Sequence, residues 1–362
     1  MRLAFVSPLP PAPTGVADYA AGLLEVLRRR AEVEILRQTR PGFDNYIYHI
    51  GNNSLHLPAY RAAQAEPGIT VLHDAVLHHL LLGSHDEHGY VEEFVYNAGE
   101  WLRDLGRDLW RSRSRSGSDF RYFQYPMLRR LVERSRAVVV HNPGARRRVE
   151  AAAPSARVTQ IPHYFRPPRL PGEARRTRDR LGIASDEIVV AAFGYLRESK
   201  RVSSILRALP ALPRGRLLLV GRAVSSDLER SLEPLMRAPR VIRTGRVSEA
   251  EFWRLAEITD ICVSLRSPSA GETSGITIKM MGIGKPVLVT NSEEAEEFPG
   301  MAVVRVDSGE AEVEMLAHYL RALADSREMR EEIGRRAAAC IAEHHSLEKA
   351  ASLYLDLARQ TV

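Results

Sequence analysis

Three groups of residues have the types and spacing to handle a charged, hydroxyl-rich ligand. The first lies in the stretch Ser264 to Thr290, SLRSPSAGETSGITIKMMGIGKPVLVT. There a small polar loop, Ser267 to Gly275, feeds a helical run from Ile276 to Ile283. Amides at the start of a helix point at bound anions, and Ser274, Gly275 and Ile276 would supply them. Gly275 has no Cβ, so a phosphate can approach the backbone closely. Glu272 adds a carboxylate that can accept from sugar hydroxyls. The second group is Gly194-Tyr195-Leu196-Arg197-Glu198-Ser199-Lys200-Arg201, where cations follow an apolar strand. The third is a set of polar strand ends: His49-Ile50-Gly51-Asn52, His73-Asp74 and His141-Asn142. His73-Asp74 carries the most chemistry. A neutral imidazole can bond a sugar hydroxyl, and a neighbouring carboxylate can fix its tautomer or accept from an acceptor alcohol. Asn52, His141 and Arg266, just before the loop, are further candidates. Spacing alone does not separate these groups from an ordinary βαβ turn, or from a strand-end histidine with a structural role.

Charge and lysine usage sharpen the set. The chain has 362 residues and a formal charge of +6, yet its lysines are only Lys200, Lys279, Lys285 and Lys349. Against an arginine-rich background, a retained lysine marks a place where a compact ammonium is wanted and a planar fork will not fit. Lys200 belongs to the second group, and Lys279 and Lys285 to the helix segment of the first. His78, His79, His85 and His88, with Asp86 and Glu87, match no zinc spacing, so no metal site is expected.

The elements that must position these residues are short apolar strands alternating with helices. In the first half they run Leu3 to Ser7, Val33 to Leu36, Tyr46 to Ile50, Ile69 to His73, Ala137 to His141 and Val158 to Ile161. In the second they run Ile188 to Phe193, Arg216 to Val220, Val241 to Thr244, Ile261 to Leu265, Pro286 to Val289 and Ala302 to Val306. This alternation predicts two doubly wound parallel sheets, an α/β fold with two domains facing across a cleft. The expected division is 1–165, a Pro- and Arg-rich linker 166–186, a second domain 187–342, and a C-terminal segment 343–362 crossing back to the first. The basic, aromatic stretch Trp101 to Arg148 predicts an amphipathic helix through Trp101, Leu102, Leu105, Leu109 and Trp110, then a mobile Ser-Arg loop from Arg111 to Ser116. Such a segment can rest on an anionic membrane. No apolar run approaches twenty residues, and the two cysteines suit small buried thiols in a reducing, cytoplasmic setting.

The stretch PSAGETSG…GKPV resembles the donor-site signature of the retaining family-4, group 1 glycosyltransferases of the GT-B fold, in a branch whose loop reads GETSG. The resemblance implies that Glu272 approaches the transferred sugar. It also places Lys279 where the family's second Glu holds the ribose. PLPPAPTGVADYAAGLL is similar to the family's first loop, which implies that Gly15 lies against the donor phosphates. Gly194 to Arg201 is similar to the diphosphate clamp, with Lys200 matched and Tyr195 in the arginine's place, so Arg197 or Arg201 must restore the charge. TGRVSEAEFWRL resembles the nucleobase segment, implying a base near Arg246 and Val247, with Gly221 on the neighbouring strand end. YHIGNN and VLHDAVLHHLL resemble the acceptor domain.

The implied activity is metal-free, retaining transfer of a hexose from GDP-mannose or a UDP-sugar to a glycan or lipid-linked saccharide in cell-surface polysaccharide synthesis. It implies no nucleic-acid partner, and a cytoplasmic site at the inner membrane face. Lys279 and Tyr195 leave open a nucleotide-sugar-binding protein that has lost catalysis. The arginine content leaves open a protein that binds membranes or nucleic acid.

Overall fold

Twelve strands form, each where an apolar run is flanked by turn residues, with ends within a few residues of those expected. The computed structural model describes all residues, Met1–Val362. In order the strands are β1 (Arg2–Val6), β2 (Glu32–Ile35), β3 (Asn45–Ile50), β4 (Ile69–Leu72), β5 (Ala137–Val140), β6 (Val158–Gln160), β7 (Ile188–Phe193), β8 (Gly215–Val220), β9 (Val241–Arg243), β10 (Ile261–Ser264), β11 (Val287–Thr290) and β12 (Val304–Val306). They make two six-stranded sheets, ordered β2-β1-β3-β4-β5-β6 and β12-β11-β10-β7-β8-β9, and the pairings are parallel throughout. Strands such as β3 and β4 are buried at every position because helices cover both faces, which is why they read as unbroken apolar runs.

The chain divides into two compact units. Unit 1 comprises Met1–Tyr164, Pro268–Thr273 and His345–Val362; unit 2 comprises Phe165–Ser267 and Ser274–His344. In unit 1 the helix Gly15–Leu27 is capped by Thr14, whose hydroxyl accepts from the Val16 amide, and it buries Tyr19, Leu23 and Leu27 on the sheet. The C-terminal helix Leu347–Gln360 packs beside it, with the Tyr19 and Tyr354 hydroxyls 3.1 Å apart and Asn45 Nδ2 donating to Ala358 O. Each buried Leu or Tyr in this layer contributes roughly 1.5–3 kcal/mol of apolar burial.

Three features differ from the sequence expectation. Residues 166–186 are not a free linker: the helix Ala174–Arg180 lies in unit 2, Thr177 and Ile183 are buried, and Arg254 joins Glu173 at 3.0 Å. The loop Pro268–Thr273, expected within the second domain, clusters with unit 1. In the basic stretch, Leu109 is buried and Leu102, Leu105 and Trp110 pack on the core, but Trp101 is 82% exposed. Its indole folds back to donate to Ala98 O instead of joining the stripe. The Ser-Arg segment forms a short 3-10 turn, Arg113–Arg115, held by Arg113 donating to Trp110 O and stacking 4.3 Å from the Trp110 ring.

Candidate active site

In a doubly wound sheet, ligands bind beyond the carboxyl ends of the strands where the strand order reverses. In unit 2 that point lies between β7 and β10, since β7 has β8 on one side and β10 on the other. Lys200 stands just after β7. Its ammonium donates to Phe193 O and lies 2.7 Å from where a Cβ on Gly194 would sit. Gly194 (φ +85°) is in turn overlain by Gly221 (φ +144°), where a Cβ would sit 2.1 Å from Gly194 O. After β10 the helix Gly275–Gly282 begins. Its cap Ser274 accepts from the Thr277 amide and lies 3.1 Å from the Ser264 hydroxyl, which fixes the helix start to the strand end. A lysine and first-turn amides thus flank one switch point, an arrangement suited to a diphosphate.

The neighbouring groups sort by what they touch. Arg201, in left-handed backbone at φ +54°, donates through Nε to buried Glu312 at 2.8 Å. Arg197 is exposed at the end of the same strand. Arg222 stacks 5.6 Å from the Tyr195 ring and, with Leu196, Gly221, Thr244 and Gly245, lines a cavity of about 520 Å³. Arg246 is exposed beyond it, and Val247 packs on the core. The Lys279 ammonium lies 5.3 and 5.9 Å from the Phe252 and Trp253 rings. The Arg266 amide donates to Thr290 Oγ1. Lys285, held below the usual lysine range by burial, donates to Glu257 O at a helix end.

In unit 1 the strand order reverses between β1 and β3. Gly15 opens the helix after β1, and a Cβ there would meet nothing within 4 Å, so the space beside it is open. Asn52, after β3, is fully engaged. Its amide donates to Asp74 Oδ2 at 2.7 Å, and its side-chain oxygen accepts from the His79 and Leu80 amides. His73 follows β4, with Nε2 2.9 Å from His49 Nδ1. His141 follows β5, with Nδ1 donating to Ile161 O at 2.9 Å. Burial, reinforced by the neighbouring imidazoles, holds His49 and His73 well below the usual histidine range, and burial pushes His141 down to about 4.

Glu272 sits in the segment Pro268–Thr273 of unit 1. Its Oε2 accepts from the Ala270 amide at 2.9 Å and from the Ser269 hydroxyl. The segment is pinned at several points. Ala75 N donates to Ala270 O at 2.7 Å, Asn142 Nδ2 donates to Gly271 O and Thr273 Oγ1 at 3.0 Å each, and Arg148 donates to Ser269 O at 3.2 Å.

Residues 173–339 match the family model described as glycosyl transferases group 1. The chain carries a group 1 glycosyltransferase domain. In fold, the chain is similar to HepE of Anabaena in complex with UDP and glucose, at 15% identity and TM-score 0.71 over 99% of this chain and 100% of that one. It is also similar to sucrose-phosphate synthase of Thermosynechococcus elongatus, at 16% identity and TM-score 0.71 over 99% and 98%. A third similarity is to WaaG, a glycosyltransferase involved in lipopolysaccharide biosynthesis, at 14% identity and TM-score 0.64 over 97% and 99%. At these identities the likeness establishes the two-sheet GT-B architecture. No curated protein sequence matches the chain.

In this glycosyltransferase, the residues singled out from sequence fall into two sets. Lys200, Ser274, Gly275 and Ile276 come together at the unit 2 switch point, with Gly221 beside them. Asn52 is engaged by protein partners, Arg201 donates through Nε to Glu312, and the Lys279 ammonium lies over the Phe252 and Trp253 rings. Sequence reading missed Arg222, which brings a guanidinium beside Tyr195, and Tyr19, whose ring touches His49, His73, His141 and His163. Tyr19 lies four residues before Leu23 on the helix face turned to the sheet, which is the signal that could have found it.

Proposed function

We propose that the chain transfers a hexose from a nucleoside diphosphate sugar to a hydroxyl of a glycan or lipid-linked saccharide, with retention at the anomeric carbon and without a metal ion. One observation carries the reading: Lys200, seated against the Gly194–Gly221 contact, shares the β7/β10 switch point with the amides that open the helix Gly275–Gly282. As the glycosidic bond breaks, negative charge develops on the departing diphosphate. A fixed ammonium and helix amides stabilise that charge without reorganising. Arg197 adds a guanidinium at the same strand end. Glu272, His73 and Asp74 supply the groups for the sugar and acceptor, a carboxylate to accept from hydroxyls and a neutral imidazole to bond one. Retention follows from same-face attack within the ion pair, which asks for no enzyme nucleophile. UDP-sugars and GDP-mannose are the donors of choice, and the complex of HepE with UDP and glucose favours the former.

The test is hydrolysis and transfer across UDP-, GDP- and ADP-sugars, with and without EDTA. Lys200→Ala is expected to lower turnover by roughly 10²–10³-fold, the cost of one charge-stabilising donor, and Glu272→Ala to abolish transfer while sparing nucleotide binding. EDTA should leave the rate unchanged. Absence of both binding and turnover for every donor would refute the reading.

A further inference from the structure

Around the Tyr19 ring in unit 1 lie His49, His73, His141 and His163, with ring centroids 5.9, 4.9, 5.1 and 4.9 Å away. We infer that His49 is a positioning residue that locks His73 in the tautomer protonated on Nδ1, so that His73 offers a sugar oxygen a hydrogen-bond donor and not an acceptor. The identity of that ligand rests on the glycosyltransferase reading above; the tautomer does not.

A neutral imidazole carries one N–H. With His49 Nδ1 and His73 Nε2 2.9 Å apart, one of the two must donate. His49 Nε2 is buried without a partner. Were His73 the donor, the His49 proton would sit on that nitrogen, stranding a buried N–H at a cost of about 1–3 kcal/mol. An unpaired acceptor lone pair is the lesser penalty. Two neighbours obey the same rule where a carbonyl settles the matter. His141 Nδ1 donates to Ile161 O, His56 Nδ1 donates to His49 O, and in both rings the unpartnered buried nitrogen is Nε2. His49 therefore donates through Nδ1, His73 accepts on Nε2, and the His73 proton is left on Nδ1. Burial keeps all of these rings neutral. Of the three strand-end rings His73 is the most exposed, at 9% against 0% for His49 and 2% for His141.

The experiment is long-range ¹H–¹⁵N correlation on the full chain labelled with ¹⁵N-histidine, paired with donor-sugar hydrolysis. The His73 signals, assigned by their loss in His73→Asn, should show a protonated Nδ1 and a bare Nε2. His49→Leu should release that preference and lower kcat roughly three- to tenfold, the worth of one neutral hydrogen bond, with a smaller change in KM. His49→Asn, whose amide nitrogen falls near the place of Nδ1, should restore both tautomer and kcat. A His73 protonated on Nε2 in the parent chain overturns the inference, and this holds even if His49→Leu fails to fold. Equal loss in the Leu and Asn variants, with the tautomer unmoved, overturns it too. A chain showing the expected tautomer but turning over no nucleotide sugar would sink the glycosyltransferase reading and leave the His49–His73 lock standing.

Discussion

The strand ends of the two sheets are built with different physics. At the unit 2 switch point stand backbone and a fixed cation: Gly194 and Gly221 at positive φ, Lys200 against them, and the first turn of Gly275–Gly282. At the strand ends of unit 1 stand neutral rings, His49, His73 and His141 with Tyr19, Tyr164 and Tyr354, buried almost completely. The imidazoles stay neutral only because the fold keeps water out. The proposed anion end holds no imidazole, and the neutral rings of the other end are a property of the folded state itself.

Acid is the strongest way to break that contrast. His141 is pushed down to about 4 by burial, while an unfolded histidine titrates near 6.5. Between these values the unfolded chain binds a proton that the folded chain refuses. The stability from this residue is therefore complete above pH 6.5 and falls as pH drops towards 4, by about 3 kcal/mol in all. His49, His56 and His73 shift in the same direction for the same reason, so denaturant midpoints should fall steeply from pH 6.5 to 5. His141→Asn keeps an N–H for Ile161 O but cannot take up the proton. Its stability curve should be shallower by about 1.4 kcal/mol per pH unit in that window. An unchanged slope would mean that water reaches the ring.

The contrast also explains what could be read in advance. The anion end is local in sequence: glycine, lysine and a small polar loop lie within a few residues of their strands, and Ser274 caps the helix it introduces. The strands came through because buried parallel strands are apolar without alternation, as in Ile188–Phe193. The imidazole end is not local. His49, His73 and His141 are 24 to 92 positions apart, and only the order β3-β4-β5 brings them together. The attachment of Pro268–Thr273 was illegible for the same reason, since its partners Ala75, Asn142 and Arg148 come from a distant part of the chain. The pairing of Arg201 with buried Glu312 was illegible too, since the two lie 111 residues apart.

Asn142 sharpens the comparison, because it serves both folding and the loop that carries Glu272. Its side-chain oxygen caps the helix Pro143–Ala152 by accepting from the Ala145 amide at 2.7 Å. Its NH₂ holds Gly271 and Thr273. Asn142→Asp keeps a cap of equal quality and replaces the donor with an oxygen that repels Gly271 O. Because Asn142 is fully buried, the carboxylate should also cost about 1–3 kcal/mol of stability, read as a lower melting temperature. Transfer should fall about ten- to a hundredfold in kcat, as expected when a reacting group is displaced by about an ångström. A variant that kept full transfer at reduced stability would show that the loop is held by something other than this amide.

The smallest effect divides the two arginines beside Lys200. Arg201→Ala strands the buried Glu312 carboxylate, whose side chain is 1% exposed, and should cost about 1–3 kcal/mol of stability, read as a lower denaturant midpoint, with little change in donor KM. Arg197 is exposed at the end of the same strand. Arg197→Ala should leave stability within about 0.5 kcal/mol and raise donor KM by roughly three- to tenfold. That penalty should shrink as salt is added, because an exposed guanidinium acts on a diphosphate through a screened field. If instead Arg201→Ala raised KM at unchanged stability, the Glu312 pair would be a resting contact that the diphosphate displaces. The anion end would then rest on a mobile guanidinium as well as on the fixed ammonium of Lys200.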